Sequence, residues 1–254
     1  DMQAVVITGA SAGIGKEFAR QLAAEGKSLV LVARRLDRLE ALAAELRDGH
    51  GIEVACIASD LAQPQASAEL VKALEEQQIA VTGLINNAGF GDRGQFADLD
   101  LQRQLDMVQV NVTALVDLTW RLVPALKQAQ DAFVINVAST AAFQAGPNMT
   151  IYYATKAFVL SFSEGLHEEL KASGVAVSAL CPGATDSEFA TEAHMTDTLL
   201  FKAGTMRTDA VVKKSLAARR RAIVIPGLKN LLLVWMGKLS PRMITRRLAG
   251  MLQA

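Results

Sequence analysis

A tyrosine and a lysine four residues apart, Tyr152 and Lys156, have types and spacing suited to acid/base chemistry. In a helix, this spacing places the phenol and the ammonium on one face. A phenol with its ordinary pKa of about 10 gives a proton readily but takes one poorly at neutral pH. A close cation lowers that pKa, so we expect Tyr152 to work in both directions. The neighbouring Tyr153 has Ala157 at the same spacing, so the pattern selects Tyr152.

Two polar residues upstream of the tyrosine are candidates for the same site. Ser139 lies 13 residues before Tyr152, after an apolar run at 133–138, with Thr140 as a rival hydroxyl. Asn111 stands between valines, which indicates burial, where its amide needs partners. Alone, an asparagine in a helix is typical of a kink or an exposed position. A lone Tyr/Lys pair is likewise typical of a surface contact, so only the four residues together indicate catalysis.

A glycine-rich segment follows the first predicted strand, with Gly9, Gly13 and Gly15 ahead of an alanine-rich helix. Glycine permits a sharp turn and lets a pyrophosphate approach backbone N–H groups at the positive end of the helix. A glycine cluster by itself is typical of an ordinary turn. Its position between the first strand and the first helix favours a dinucleotide site.

The end of the second predicted strand indicates which nicotinamide cofactor the site takes. An NAD site carries an acid there, which holds the ribose 2′-hydroxyl and repels a 2′-phosphate. Here Ala33 stands in that place and Arg34 follows, while Ser11 offers a hydroxyl from the glycine-rich segment. A guanidinium suits phosphate, so we expect NADP(H). The alternative is that Arg34 and Arg35 face solvent at the start of a helix, where positive charge is mildly unfavourable.

Seven short apolar strands alternating with helices are predicted to bring these residues together. The predicted strands are residues 4–8, 28–33, 53–58, 83–86, 133–138, 175–181 and 222–225. The predicted helices are residues 14–25, 35–48, 65–78, 99–126, 150–173 and 208–220. This order predicts a single α/β domain, a Rossmann-like doubly wound parallel sheet with helices on both faces. Its ligand crevice lies at the carboxyl ends of the strands, where every polar cluster above is placed.

The composition excludes several classes of protein. The 254 residues carry 26 Lys plus Arg and 26 Asp plus Glu, so no global field attracts nucleic acid. The three histidines are scattered and Cys56 and Cys181 lie in apolar runs, so we expect unpaired thiols and no metal site. No uncharged apolar run reaches the roughly 18 residues of a membrane span. The sequence opens on a strand-like run without a charged leader, so we expect a cytoplasmic protein.

The spacing of the three glycines, with the other residues in the same order, resembles the NADP-preferring branch of the short-chain dehydrogenase/reductase family. The resemblance covers residues 4–187, roughly three quarters of the chain. It implies that Ser139 donates a hydrogen bond to the substrate oxygen while Tyr152 exchanges the proton. It also implies that Lys156 holds the cofactor ribose and that Asn111 holds a water against the lysine.

The resemblance further implies a cofactor site spread over several strand ends. Asp60 would bond the adenine, the run at 86–89 would close around the adenosine ribose, and Thr185 with Ser187 would hold the carboxamide. Without the family, Asp60 is a plausible helix cap and these segments are plausible turns. The chain departs from the family at Ala138, often a serine, and at Ser187, more often a threonine. The implied cofactor contacts are Gly9, Ser11, Gly13, Ile14, Gly15, Arg34, Asp60, Leu61, Asn87, Ala88, Gly89, Tyr152, Lys156, Pro182, Gly183, Thr185 and Ser187.

We therefore expect an NADP(H)-dependent oxidoreductase that transfers a hydride between nicotinamide and a carbonyl or alcohol carbon of a small, partly apolar substrate. The alternative is a non-catalytic NADP-binding sensor or adaptor on the same fold. Residues 188–215 are predicted to form a substrate lid, and residues 226–254 a C-terminal helical extension. The extension, apolar with basic residues, packs on a partner subunit, covers the pocket or lies on a membrane surface. We expect subunit or lid packing, in a homodimer or homotetramer.

Overall fold

Seven short apolar runs form the strands of one parallel sheet, as predicted. The computed structural model describes residues 1–202 and 204–253, without the side chain of Leu200. The strands are β1 Met2–Thr8, β2 Ser28–Ala33, β3 Val54–Ala58, β4 Ile79–Asn86, β5 Phe133–Val137, β6 Ala176–Leu180 and β7 Ile223–Val224. They lie in the order β3-β2-β1-β4-β5-β6-β7, and every neighbouring pair is parallel. The predicted fold class is confirmed.

The six helices predicted between the strands are present, and one of them is interrupted. The helices are α1 Gly13–Ala24, α2 Leu36–His50, α3 Ala66–Glu76, α4 Leu101–Val108, α5 Leu115–Leu126, α6 Thr150–Lys171, α7 Phe189–Glu192, α8 Leu199–Lys202, α9 Thr208–Ala217, α10 Leu228–Leu239 and α11 Arg242–Leu252. The lid region, residues 188–215, adds the short helices α7 and α8, which were not predicted. The single helix predicted over 99–126 is wrong, because a π-helical turn, Gln109–Ala114, separates α4 from α5. We call it the π turn. Apolar residues recur through it at helical spacing, so the wider turn leaves no mark in the pattern.

Alternate residues of β1 divide the core into two layers. Val5 and Ile7 pack against α1, α2 and α9 on one face of the sheet. Ala4 and Val6 pack against α3, α5 and α6 on the other. All four side chains are at most 1% exposed, which explains why this strand is apolar throughout rather than alternating with polar residues.

The order of the strands along the sheet reverses beside β1, and this places a crevice at the carboxyl end of β1. The chain moves from β1 outward to β2 and β3, and then crosses back to β4 on the other side of β1. The connections on the two sides diverge at this point, so the loops after β1 and β4 flank an opening. The glycine-rich segment and the run at 86–89 form those two loops.

The segments at the C-terminal end of the chain lie around the same crevice. The region predicted as a lid, 188–215, contains α7, α8 and most of α9, and Ala203 lies outside the described residues. The predicted extension, 226–254, forms α10 and α11, and Ala254 likewise lies outside the described part. Among the residues described, no helix has the length and apolar character needed to cross a membrane.

Candidate active site

The glycine-rich segment turns sharply between β1 and α1. Gly9 and Gly13 have φ angles of 63° and 53°, a region that other residues rarely adopt. A Cβ atom on Gly15 would overlap the carbonyl oxygen of Gly9 and the Nδ2 atom of Asn87. The close approach of helix and strand therefore requires glycine at this position. Ser11 and Ile14, from the same segment, border the cleft described below.

Asn87 fastens the end of β4 to this glycine-rich turn. Its Nδ2 donates hydrogen bonds to the carbonyl oxygens of Thr8, at 3.2 Å, and of Gly9, at 3.1 Å. In return, Oγ1 of Thr8 accepts from the backbone N–H groups of Asn87, at 3.1 Å, and Ala88, at 3.0 Å. The run that includes Gly89 is thereby locked against the turn.

Asp60 and Leu61 follow β3 at the far end of the crevice. The Oδ1 atom of Asp60 accepts a hydrogen bond of 3.1 Å from the backbone N–H of Ala62. The carboxylate therefore holds its own turn and does not cap α3, whose N-cap is Gln65, so the helix-cap alternative is wrong. Asp60 also borders the crevice where the resemblance places the adenine.

Three arginines gather at the end of β2 with one glutamate. Arg34 is exposed, borders the crevice beside Ala33, and makes no ion pair among the described residues. Arg38 donates to both carboxylate oxygens of Glu188 at 3.1 and 3.2 Å, and Arg35 lies 3.7 Å from the same carboxylate. Arg34 is therefore the arginine whose guanidinium is not engaged by Glu188.

Tyr152 and Ser139 meet in the middle of the crevice. Ser139 is the second residue after the end of β5. Tyr152 lies in the first turn of α6, where it is only 7% exposed. Their side chains share a hydrogen bond, and Oγ of Ser139 also accepts from the backbone N–H of Ala141 at 3.0 Å. Burial raises the pKa of the Tyr152 phenol above its usual value, and the hydrogen bond with Ser139 partly opposes this shift.

The predicted lowering of the Tyr152 pKa by Lys156 is wrong. The ammonium lies 5.7 Å from the centre of the phenol ring and donates a hydrogen bond of 2.9 Å to the carbonyl oxygen of Val137. Both side chains are buried, and the loss of hydration disfavours the charged form of each. Burial likewise lowers the pKa of Lys156 to about 8, with a smaller opposing effect from Cys181. The raised pKa therefore favours the protonated phenol in this arrangement.

Asn111 occupies the π turn and is 1% exposed, so its predicted burial is confirmed. Its Nδ2 donates to the carbonyl oxygen of Phe90 at 3.0 Å and to Oγ1 of Thr155 at 3.1 Å, and its Oδ1 accepts from the backbone N–H of Phe90 at 3.1 Å. A Cβ atom on Gly89 would lie 3.0 Å from Oδ1 of Asn111 and 3.5 Å from Nζ of Lys156. The asparagine and the lysine therefore approach the same point beside Gly89.

The segment after β6 forms the wall opposite the glycine-rich turn. Pro182, Gly183, Thr185 and Ser187 all border the crevice, and Oγ1 of Thr185 donates to the carbonyl oxygen of Gly183 at 2.9 Å. Ser187 reaches across the crevice: a Cβ atom on Gly13 would lie 3.3 Å from the Cβ of Ser187. This wall therefore meets the glycine-rich turn where the resemblance places the cofactor.

These walls enclose one cleft of about 690 Å³. Every site residue predicted from the sequence borders it except Gly15 and Asn111, which are buried beside it. Beyond Tyr152, the cleft continues between apolar side chains and a group of polar ones. The apolar ones are Phe90, Phe189, Met195 and Phe201, and the polar ones are Asp100, Gln102, Arg103, Asp106 and Glu192.

The sequence analysis did not predict the contacts that hold the lid region, residues 188–215, to the rest of the protein. Arg93 donates to the carbonyl oxygens of His194, at 2.9 Å, and Gln253, at 2.7 Å, and pairs with Asp197 at 3.1 Å. One side chain thus joins the segment predicted as a lid to the C-terminal end of the chain. No local spacing in the sequence signals a contact between residues so far apart. The ring of Phe189, from the segment predicted as a lid, lies 5.3 Å from that of Tyr152.

The cysteines carry no chemistry in this arrangement. Both are free, as predicted, and burial raises the pKa of the Cys56 thiol to about 11 and that of Cys181 to about 12. Within the part of the chain that the structure describes, no three His, Cys, Asp or Glu side chains are grouped so as to hold a metal ion.

Comparison with known sequences decides the family. A sequence model of short chain dehydrogenases matches residues 3–198. The chain belongs to this family. A sulfoacetaldehyde reductase from Chromohalobacter salexigens is 41% identical to this short chain dehydrogenase over 187 residues, which are 73% of each protein. A very-long-chain 3-oxoacyl-CoA reductase from Anas platyrhynchos is 33% identical over 70% of this chain, and the match spans only 58% of the Anas protein.

The fold of this short chain dehydrogenase also matches solved structures closely. A short-chain dehydrogenase from Sphingobium yanoikuyae, in complex with NADPH, superposes with a TM-score of 0.82 at 36% sequence identity. The match covers 94% of this chain and 95% of the Sphingobium chain. The predictions of the family and of an oxidoreductase are confirmed, and a non-catalytic sensor or adaptor is not favoured by these relatives.

Proposed function

We propose that this short chain dehydrogenase is an NADP(H)-dependent oxidoreductase that interconverts a carbonyl group and an alcohol on a small, partly apolar substrate. The observation that carries the proposal is the pairing of two neighbouring hydroxyls, those of Ser139 and Tyr152, which both border the cleft. Two hydroxyls at one point in a buried site suit a single substrate oxygen, which accepts a hydrogen bond from each.

The residues around the other half of the cleft fit NADP(H). A Cβ atom at Gly13 would press on Ser187, on the opposite wall of the cleft. Glycine at this position therefore keeps the cleft open beside the start of α1, where backbone N–H groups suit a bulky anion. Ala33 leaves the end of β2 without a carboxylate, and Arg34 offers a guanidinium for a 2′-phosphate. The NADPH bound to the Sphingobium relative supports this choice. When bound, the cofactor supplies the hydride, which none of the side chains of the protein can provide.

Three side chains of the site manage the substrate oxygen and the proton. Tyr152 donates its proton to that oxygen in reduction, and its raised pKa keeps the phenol protonated until then. Ser139 donates a hydrogen bond to the same oxygen and stabilises the phenolate that remains. Lys156, with its pKa of about 8, carries positive charge at neutral pH and offers it to the ribose hydroxyls beside the site.

Asn111 positions this machinery rather than touching the reacting atoms. Its three hydrogen bonds link the loop after β4 to α6 at Thr155, the residue before Lys156. A water held between Asn111 and the lysine, next to Gly89, would return a proton from solvent to the site.

The substrate end of the cleft favours a ligand with apolar parts. Apolar side chains line this end of the cleft: Phe90 follows β4, and Phe189 and Met195 belong to the region 188–215. We propose that this region acts as a lid. Arg103 is engaged with Asp92 at 3.3 Å and lies 5.0 Å from the centre of the Phe90 ring. Because its charge is already paired, this wall does not select an anionic substrate.

A panel of aldehydes, ketones and alcohols with NADPH, NADH and their oxidised forms, followed by nicotinamide absorbance, tests the proposal. We expect turnover of apolar ketones or aldehydes with NADPH, reversal with the matching alcohols, and loss of both in Tyr152→Phe. Binding of NADPH without turnover of any carbonyl compound in the panel would favour a sensor instead.

We further propose that the protein works in the cytoplasm as a homodimer or homotetramer. Large apolar side chains stand exposed on α5 and α6, where Trp120 is 75% and Phe158 is 42% exposed. Such residues are candidates for burial between subunits. Sedimentation velocity of the parent and of Trp120→Lys tests this, and a monomeric parent would contradict it.

A further inference from the structure

The charge of this chain is balanced overall but strongly divided along its length. Of the 26 lysines and arginines, 10 lie after Asp209, whereas none of the 26 aspartates and glutamates does. Five of those cations, Lys229, Lys238, Arg242, Arg246 and Arg247, belong to α10 and α11. Every charged residue of the last two helices is therefore a cation, although the net charge of the whole chain is zero.

Helix α10 presents an apolar stripe to solvent. Leu228, Leu232, Trp235 and Leu239 recur at intervals of four, three and four residues, so they share one face, and they are 73%, 55%, 56% and 82% exposed. The opposite face is the one that contacts the body of the protein, through buried Val234. The helix therefore turns its largest apolar side chains outward.

Helix α11 repeats this arrangement. Ile244, Leu248 and Met251 recur at intervals of four and three residues and are 45%, 53% and 66% exposed. Its other side is held to the protein: Ala249 is buried, and the residue after the helix, Gln253, is 1% exposed. The helix is thus fixed in place with an apolar stripe facing outward.

Both helices rest on the short segment between Ser139 and α6. Nζ of Lys238 lies 5.1 Å from the centre of the Phe143 ring, and a Cβ atom on Gly250 would lie 3.2 Å from Pro147. We call the exposed surface of these two helices, with its two apolar stripes and the five exposed cations that the helices carry, the C-terminal face. This face therefore lies at the same end of the molecule as the cleft.

We propose that the C-terminal face docks on the surface of an anionic lipid bilayer. Charge complementarity selects this occupant, because the face combines large apolar side chains with five cations and no anion. A second copy of the chain would meet it with the same five positive charges, and such a symmetric contact is repulsive. Helices of 12 and 11 residues are too short to span a bilayer, so the contact is peripheral.

On such a surface, the stripes enter the boundary between headgroups and acyl chains. Trp235, at the centre of the α10 stripe, suits that boundary because its ring is apolar and its N–H is polar. Arg247 is exposed beside the α11 stripe, three residues after Ile244, and Arg246 is exposed on the side nearer Ala249. The guanidinium of either residue is suited to bidentate contacts with lipid phosphates. Binding therefore combines insertion with charge attraction, so it requires anionic lipid and weakens with salt.

Co-sedimentation with vesicles tests the proposal on the full chain. One set of vesicles is phosphatidylcholine alone, and the other is equal parts of phosphatidylcholine and phosphatidylglycerol. We expect binding to the second set only, and added salt should release the protein. The assay needs neither cofactor nor substrate, so its failure leaves the proposed oxidoreductase function intact.

Two double variants and a matched control locate the contact. Arg246→Glu with Arg247→Glu should weaken binding at least about tenfold, because each reversal replaces attraction with repulsion. Leu232→Ser with Leu239→Ser should weaken it similarly by removing the inserted side chains. Lys213→Glu with Lys214→Glu makes the same charge change on α9, outside the face, and should retain most of the binding. Equal losses in this control and in the arginine variant would overturn the C-terminal face as the contact.

Tryptophan fluorescence gives a second readout that does not depend on a variant of the face. The chain has two tryptophans, Trp120 and Trp235, so Trp120→Phe leaves only the one on α10. We expect its emission to shift to the blue on adding anionic vesicles, whereas Trp235→Phe should show no shift. No shift and no co-sedimentation would sink the proposal. A parent dimer that the leucine variant dissociates, without vesicle binding, would instead assign the face to a second copy.

Discussion

The Nε2 atom of Gln253 donates a hydrogen bond of 2.8 Å to the phenolic oxygen of Tyr153. The adjacent Tyr152 directs its hydroxyl to Ser139 instead, and the two rings stand nearly perpendicular, with their centres 6.2 Å apart. Two neighbouring tyrosines of similar burial therefore have separate partners. One belongs to the reacting site, and the other fastens the C-terminal end of the chain beside it.

This separation makes Tyr153 a strict control for Tyr152. Tyr152→Phe removes the proton donor, so we expect turnover to fall at least about a hundredfold while NADPH affinity hardly changes. Tyr153→Phe removes only the bond to Gln253 and should retain most of the turnover. Steady-state kinetics with a carbonyl substrate, together with NADPH titration, measures both. Turnover of Tyr152→Phe within a few-fold of the parent would refute its role as the acid.

Ser139→Ala tests whether the serine acts on the phenol as well as on the substrate. Its hydrogen bond opposes the burial that raises the pKa of Tyr152, so removing it should raise that pKa further. Alcohol oxidation requires the phenolate, and its rate should rise with pH along a profile displaced to higher pH in the variant. Thr140→Ala, one residue on, should leave the profile in place. A lower rate with an undisplaced profile would limit Ser139 to substrate binding.

Lys156→Met should reveal the energetic cost of burying a cation. Burial lowers the pKa of Lys156 from 10.5 to about 8, so between these values the folded protein binds fewer protons than the unfolded chain. The parent therefore gains stability as pH rises through this window, and below it the full cost persists. The variant should exceed the parent in free energy of unfolding by roughly 1–3 kcal/mol at pH 7, with a gap that narrows toward pH 10.

Urea denaturation at a series of pH values measures this gap. Lys171→Met, at the exposed end of α6, is the control and should leave the free energy of unfolding nearly unchanged. A gap for Lys156→Met that stays constant over the same pH range would show that the folded state does not shift the titration of this lysine.

Cofactor choice should depend on Arg34 more than on its neighbour. Arg34→Ala removes a charge-assisted contact, so NADPH affinity should fall about ten- to a hundredfold while NADH affinity hardly moves. Arg35→Ala is the control, since Glu188 already engages that guanidinium. Ala33→Asp should favour NADH, because a carboxylate there accepts from a free 2′-hydroxyl and repels a phosphate. Calorimetric titration that finds equal losses for both cofactors in Arg34→Ala would remove the phosphate from this position.

Two helical glycines should respond to alanine in opposite directions. A Cβ atom on Gly15 would overlap Gly9 and Asn87, so Gly15→Ala should destabilise the protein by about 1–3 kcal/mol and weaken cofactor binding. Gly165 in α6 has nothing within 4 Å of an added Cβ, so Gly165→Ala should stabilise it by up to about 1 kcal/mol. Thermal unfolding of the two variants tests this, and similar melting temperatures would contradict it.

The order of elements and the position of the site were predictable because both rest on local pattern. Strands apolar throughout predict a buried parallel sheet, and the carboxyl ends of such strands converge on one edge. The glycine-rich turn, Arg34 and Ser139 therefore had to lie near one another. Tyr152 and Lys156 needed in addition only helical spacing in α6.

What the sequence could not predict depends on packing between distant segments. The contact of Glu188 with Arg38 spans 150 residues and that of Gln253 with Tyr153 spans 100, and neither leaves a local pattern. The raised pKa of Tyr152 follows from burial under Phe189 and its neighbours, so charge spacing alone gave the wrong direction.

The π turn fixes a phase difference between two helices that would otherwise be one. It holds one residue more than an α-helical turn and absorbs that residue in its wider winding. If the same residues were wound as a continuous α-helix, every later residue of α5 would rotate by about 100° about the helix axis. Thr119, which accepts a hydrogen bond of 2.9 Å from Asn86, would be carried away from the sheet. The wider turn therefore decides which side chains of α5 face the sheet.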